Sequence, residues 1–307
     1  MPPTRFRQDG VVKIIVAGAS GFLGTALRRR LTADGHDLKQ LVRSSPQAAD
    51  QIQWDPAAGD LDAASLEGAD TVINLGGAPI ARWPWTTAYK KTILQSRLET
   101  TGTIAAAIAA SAGKPALVNA SGINYYGDRG DERVDESSAA GTGFLADVVK
   151  QWEAATQPAA DAGARVVRLR TGVVLHRAGG ALQKIQIPFR LGVGGKIGDG
   201  RQFFPTISLD DYCGAVARLA TDGSLDGPFN LVAPVAATNA EFTDAMGHVL
   251  GRPTLVRVPR SALRTVAGEL SGEVLGSINA APTRLIEAGY EFQQPTIVDQ
   301  VTAAYRS

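Results

Sequence analysis

The chain has 307 residues, 44% hydrophobic and 20% charged, the balance of a globular protein with a sizeable core. A formal net charge of +1 offers no basic excess for nucleic acid, and a single cysteine, Cys213, excludes an internal disulfide framework and suits a reducing compartment. The histidines His36, His176 and His248 show no metal-ligand spacing, no apolar run reaches the roughly 18 residues that span a bilayer, and Met1–Gly10 lacks a signal-peptide core. The expectation is a cytoplasmic protein without metal, membrane or nucleic-acid partners.

Residues 1–10 read as a polar tail. Val11 to Ala17 is a β-branched run leading into glycines, the pattern of a buried parallel strand. A helix follows, with Leu23, Leu27 and Leu31 on one face, Arg28–Arg30 on a solvated face and Gly35 as its C-cap. Strands are predicted at Leu38–Val42, Thr71–Leu75, Ala116–Ala120 and Arg165–Arg170, with helices at Thr87–Ser111 and Phe144–Ala162. This alternation predicts an α/β fold, a Rossmann-type doubly wound parallel sheet covered on both faces. After about Thr171 the pattern changes: a glycine-dense loop at Gly192–Gly200, an apolar helical stretch from Tyr212 to Ala220 holding Cys213, a strand at Phe229–Val232 and a helix at Asn239–Leu250. We divide the chain into a dinucleotide-binding domain at 11–175, its sheet completed by part of 205–235, and a smaller α+β substrate lobe at 176–307. That lobe includes a small C-terminal domain at about 250–300 and folds over the carboxyl edge of the sheet, where open α/β sheets bind ligands.

Gly18, Gly21 and Gly24 stand between a strand and a helix, the context that gives a glycine motif its meaning. The first permits a tight turn, the second lets backbone approach a diphosphate, and the third lets helix and loop pack closely. The helix N-terminus then favours the phosphate charge. Ser20, Phe22 and Leu23 complete the loop. An acidic residue at the end of the second strand would accept ribose hydroxyls and select NAD. Here Arg43 stands there, nineteen positions past Gly24, with Ser44 beside it. This pair suits a 2′-phosphate, so NADP is expected rather than NAD.

The loop Ala17–Gly24 resembles that of the extended short-chain dehydrogenase/reductases, the NAD-dependent epimerase/dehydratase family. Trp54-Asp55-Pro56 is similar to the family's adenine-contacting acidic element, and Asn74-Leu75-Gly76-Gly77 to the turn along the cofactor. Ser121 with Tyr126-Gly127-Asp128, and Arg170-Thr171-Gly172 beside the nicotinamide, follow in order. A closer resemblance, to a branch named for nucleoside-diphosphate-sugar epimerases, is carried by Gly77-Ala78-Pro79-Ile80, Ser96-Arg97, Gly192–Gly195, Gly198–Gln202 and Asp210-Asp211. The tail from Arg252 to about Phe292 resembles that branch's C-terminal domain of unknown function. The resemblance implies an NADP-dependent oxidoreductase or epimerase acting on a small polar substrate such as a nucleotide sugar. It also implies homodimers built on the helices at 87–111 and 144–162.

The chain departs from the family at one decisive place. The usual catalytic pair is Tyr-x-x-x-Lys, in which lysine lowers the tyrosine pKa for proton transfer. No lysine here has a tyrosine four residues before it, and Leu145 and Val149 stand in the pair's places. Ser121, Tyr125, Tyr126 and Lys150 are the candidate replacements. Arg201, Lys196 and Arg97 are candidates for an anionic substrate, since guanidinium groups grip phosphate oxygens in pairs. Trp83, with Trp85, Tyr89 and Lys90, is a candidate wall of the pocket. The missing pair keeps a second function open, a weakly active or inactive NADP(H)-binding sensor or partner-binding protein.

Overall fold

A computed structural model describes residues 10–82, 84–259, 261, 272 and 276–306. The first half alternates strand and helix: β1 (Lys13–Ala17), α1 (Phe22–Ala33), β2 (Asp37–Val42), β3 (Gln51–Gln53), β4 (Thr71–Asn74), α2 (Thr87–Ala110) and β5 (Ala116–Gly122). Then come β6 (Arg133–Val134), α3 (Phe144–Ala154), α4 (Gln157–Asp161), β7 (Val166–Thr171) and β8 (Val173–Leu175). The remainder contains α5 (Leu182–Arg190), β9 (Gly195–Ile197), β10 (Thr206–Ser208), α6 (Leu209–Thr221), β11 (Gly227–Leu231) and α7 (Asn239–Leu250). It closes with β12 (Val256–Val258), β13 (Asn279–Ala280), α8 (Thr283–Glu287) and α9 (Ile297–Arg306).

Seven strands form one parallel sheet in the order β11-β7-β5-β4-β1-β2-β3. The order reverses between β1 and β4, so the crevice at their carboxyl ends is the switch point where such sheets bind ligands. The two-residue period of a strand sorts β1 between two cores: Ile14 and Val16 join Leu27, Leu31, Tyr212 and Val216 under α1 and α6. Ile15 and Ala17 face the opposite way and join Ile104, Ala105, Ile108 and Ala159 under α2 and α4. A third cluster, with Leu182, Phe189, Phe242, Met246 and Val301, forms the core of the smaller C-terminal unit. Burying each such side chain contributes about 1.5–3 kcal/mol, so every face of the sheet is anchored several times over.

Two elements differ from expectation. The helix foreseen at 144–162 is two helices, α3 and α4, because Pro158 in the first turn of α4 has no N–H to continue the ladder. The glycine-dense stretch at 192–200 is not all loop: β9 pairs with β12, and a Cβ on Gly195 would lie 1.8 Å from the Val256 carbonyl oxygen. Only glycine lets those two backbones meet.

Candidate functional site

The glycine loop lies at the switch point. Gly18 adopts φ +77°, and a Cβ there would meet the Leu75 carbonyl carbon at 2.9 Å. Gly24 packs its Cα against the loop it follows, where a Cβ would lie 2.2 Å from the Gly18 carbonyl oxygen. The first intrahelical bond of α1 is from Thr25 N–H to the Gly21 carbonyl, and no side chain caps the helix. The N–H groups of Phe22, Leu23 and Gly24 therefore point outward at the sheet edge, an arrangement that favours a phosphate. Ser20 is exposed beside them. Across the crevice, Asn74 shapes the next turn: its Oδ1 accepts from Gly76 N–H at 3.0 Å, while its Nδ2 donates to Thr101 and Asn119. This sets Leu75, Gly76 and Gly77 along the site. From the far side the turn 176–180 closes over Phe22, whose ring lies 5.7 Å from that of His176.

Arg43 and Ser44 are exposed at the carboxyl end of β2. Asp55, also exposed, spends Oδ1 on the N–H groups of Ala57 and Ala58, so it shapes its own turn. At the end of β7, Thr171 bonds back to the Leu169 carbonyl, and a Cβ on Gly172 would strike the Pro205 carbonyl oxygen at 2.7 Å.

The candidate catalytic residues separate into three groups. Ser121 is 5% exposed and donates to Glu153 Oε1 at 2.7 Å. Arg170, 4% exposed, grips the same carboxylate through Nε at 2.8 Å and Nη2 at 2.9 Å, and donates from Nη1 to the Tyr126 hydroxyl at 3.0 Å. Tyr126 is fully buried and donates in turn to Asn230 Oδ1 at 2.8 Å. Burial pushes the Tyr126 phenol up to about 12, the Arg170 charge offsetting only part of that. Burial also opposes the Arg170 charge, but the bonds to Glu153 more than compensate and raise its pKa. This network faces into the protein. Tyr126 and Ser121 are thus each held by a hydrogen bond within the protein, and Arg170 is held by Glu153. Lys150 pairs with Asp147 at 2.7 Å on the exposed face of α3.

Tyr125 differs. It is half-buried, the Arg170 guanidinium stacks on its ring at 3.4 Å, and its hydroxyl meets no partner among the described residues. Leu145 and Val149 are 2% and 4% exposed, so the places of the missing pair are apolar and filled. Val149 Cγ2 would lie 3.2 Å from a Cβ on Gly122, so α3 presses against the end of β5. Glu153 is the residue the sequence reading passed over. Leu145, Val149 and Glu153 stand at four-residue intervals on one helix face, and that spacing was the available signal.

Of the substrate candidates, Arg201 is exposed, Lys196 pairs with Asp244 at 3.4 Å and Arg97 is buried. Trp83 lies outside the described residues; Trp85 and Tyr89 bond to the carbonyls of Ile80 and Pro79 and pack beneath the loop after Gly77. Among the described residues no cluster suits a metal, and no helix is long and apolar enough to cross a membrane.

Residues 14–149 match the NAD dependent epimerase/dehydratase family and residues 258–303 a domain of unknown function, DUF1731. An epimerase family protein of Mycobacterium tuberculosis, MT2273, is 42% identical over 285 residues, covering 92% of this chain and 94% of its own. This chain belongs to the NAD dependent epimerase/dehydratase family. Within the epimerase family, the human member SDR39U1, solved with NADPH, superimposes with a TM-score of 0.88 at 35% identity, covering 96% of this chain and all of that one. A nucleoside-diphosphate sugar epimerase of Corynebacterium glutamicum gives 0.79 at 32% identity, covering 96% of this chain and 59% of that chain.

Proposed function

We propose that this epimerase-family protein binds NADP(H) and acts as an oxidoreductase or epimerase on a small polar substrate in the cytoplasm. The observation that carries the reading is the pairing of an uncapped α1 N-terminus with exposed Arg43 and Ser44 at the end of β2. Helix N–H groups and dipole suit a diphosphate, and the cation at the strand end suits a 2′-phosphate where a carboxylate would repel it. The glycine contacts also fit a dinucleotide, because each brings backbone where a side chain would block it. NADPH in the human relative supports the same reading.

In this reading Phe22, Leu23 and Gly24 hold the diphosphate and Arg43 with Ser44 the 2′-phosphate. Leu75 to Gly77 and Thr171-Gly172 line the path to the nicotinamide. The bound cofactor supplies hydride chemistry. Tyr125, whose ring stacks on Arg170 and whose hydroxyl meets no partner among the described residues, is the group placed to bind a substrate oxygen or move its proton.

Arg43→Asp tests the cofactor assignment. NADPH should bind at least about tenfold more weakly to the variant, with NADH affinity changed by less than about threefold. Equal losses, read by fluorescence titration, overturn the 2′-phosphate assignment. A second reading, a sensor with little turnover, is favoured by Leu145 and Val149 filling the catalytic pair's places. NADPH binding without turnover of sugar nucleotides, aldehydes or ketones decides for it.

A further inference from the structure

Arg97, on α2, is 6% exposed, and no carboxylate pairs with it among the described residues. Of the five N–H donors of a guanidinium, only those of Nη1 are met, by the carbonyls of Ile93 at 2.9 Å and Ala78 at 3.1 Å. Nε is buried with no partner, and Nη2 meets no acceptor among the described residues. The guanidinium lies 4.8 Å from the Trp152 ring centre, and a Cβ on Gly77 would touch its carbon at 3.4 Å. It is thus wedged between the turn at Gly77 and Trp152 of α3. Burial lowers its pKa to about 10, which leaves it charged at neutral pH.

A buried cation without a counter-ion is costly, since desolvation takes several kcal/mol that only an opposite charge or full hydrogen bonding returns. Arg170 shows the usual arrangement, a buried guanidinium bonded twice to the Glu153 carboxylate. Gln202 and Gln300 also carry unmet buried atoms, but Arg97 is the charged member of that set, and a charged donor is the one for which an anion offsets most. We propose that Arg97 is the anion site of the substrate pocket, receiving a carboxylate or phosphate oxygen of the substrate beside the Gly77 turn. The proposal deepens the function above by naming the substrate's chemical class, and it rests on that reading for the cofactor.

The test uses NADPH-saturated protein at constant ionic strength, with inorganic phosphate and acetate as separate probes and chloride as the balance. Wild type should gain about 2 °C or more in melting temperature from phosphate, acetate or both, as expected for a ligand that binds only the folded state. Arg97→Gln should gain less than about 0.5 °C while keeping its NADPH affinity within about threefold. Which probe works separates a phosphate from a carboxylate substrate. Equal responses in both proteins overturn the proposal, as does a tenfold loss of NADPH affinity, which would give the guanidinium to the cofactor. If the variant does not fold, nitrogen-15 labelling of arginine in wild type decides: phosphate or acetate should move a buried Nε–H resonance, and an unmoved spectrum under both overturns the site. Failure of wild type to bind NADPH sinks the cofactor reading alone, because the same titrations on cofactor-free protein still test Arg97.

Discussion

Ser121, Glu153, Arg170, Tyr126 and Asn230 share one hydrogen-bonded chain behind the cofactor crevice, and each member satisfies its neighbour. Such a chain is strong when complete and costly when broken, because most of its polar atoms are withdrawn from water. Tyr126→Phe removes one hydroxyl and leaves both Asn230 Oδ1 and one Arg170 N–H unmet. The expected result is a loss of about 1–3 kcal/mol in denaturant unfolding with NADPH affinity unchanged within twofold. A drop in turnover without a drop in stability would show instead that the hydroxyl reaches substrate. Tyr125, on the other side of the same guanidinium, carries no such structural bond, so one aromatic pair divides into a brace and a candidate reactive group.

At the scale of elements, the site depends on how closely α1 seats on the loop that starts it. The Gly24 position meets backbone rather than a flexible side chain: Gly18 oxygen at 2.2 Å and Ala19 Cα at 2.8 Å from a Cβ. Gly24→Ala must therefore push the helix outward, taking its free N–H groups away from the diphosphate. The expectation is a loss of about 1–3 kcal/mol in stability and at least tenfold in NADPH affinity. Gly102→Ala on α2 is the control: a Cβ there meets nothing within 4 Å, and alanine there should be neutral or stabilising by up to about 1 kcal/mol. Matching losses in the two variants would refute the packing argument.

For the whole molecule, the contact between the C-terminal segment and the sheet turns on Glu136. Its carboxylate, 7% exposed, accepts from the N–H of Asn230 in β11 at 2.9 Å and of Arg284 in α8 at 3.3 Å. Asn230 Nδ2 donates to the Ala281 carbonyl, and Arg284 lies over the Phe229 ring. Burial raises the Glu136 pKa above the ordinary value of 4.5, the backbone bonds opposing only in part. A raised carboxyl favours the protonated folded state, so its contribution is complete below the unfolded pKa and is lost as pH rises through the folded one. Glu136→Gln removes the titration. Its stability relative to wild type should be higher at pH 8 than at pH 5 in paired urea melts, and a pH-independent difference contradicts the assignment.

The sheet and the glycine loop were legible because their signals are local. β-branched runs such as Ile14–Val16 and glycines at Gly18, Gly21 and Gly24 state their conformational demands within a few residues. The α3–α4 break was legible in principle from Pro158, and the β9–β12 pair was not, since three residues pair with a partner some sixty positions away. Sequence alone determined the parallel fold, the family and the absence of the Tyr-x-x-x-Lys pair, all of which follow from residue identity at fixed spacing. Only tertiary structure decided which polar groups face inward. Tyr126 and Tyr125 are neighbours in sequence, yet Asn230 and Arg170, brought in by β11 and β7, complete the bonds of one and leave the other's hydroxyl without a partner among the described residues. The same holds for Arg97, whose want of a counter-ion among the described residues depends on what is packed around it. Burial and hydrogen-bond satisfaction are set by distant segments meeting, and no spacing rule along one chain encodes them.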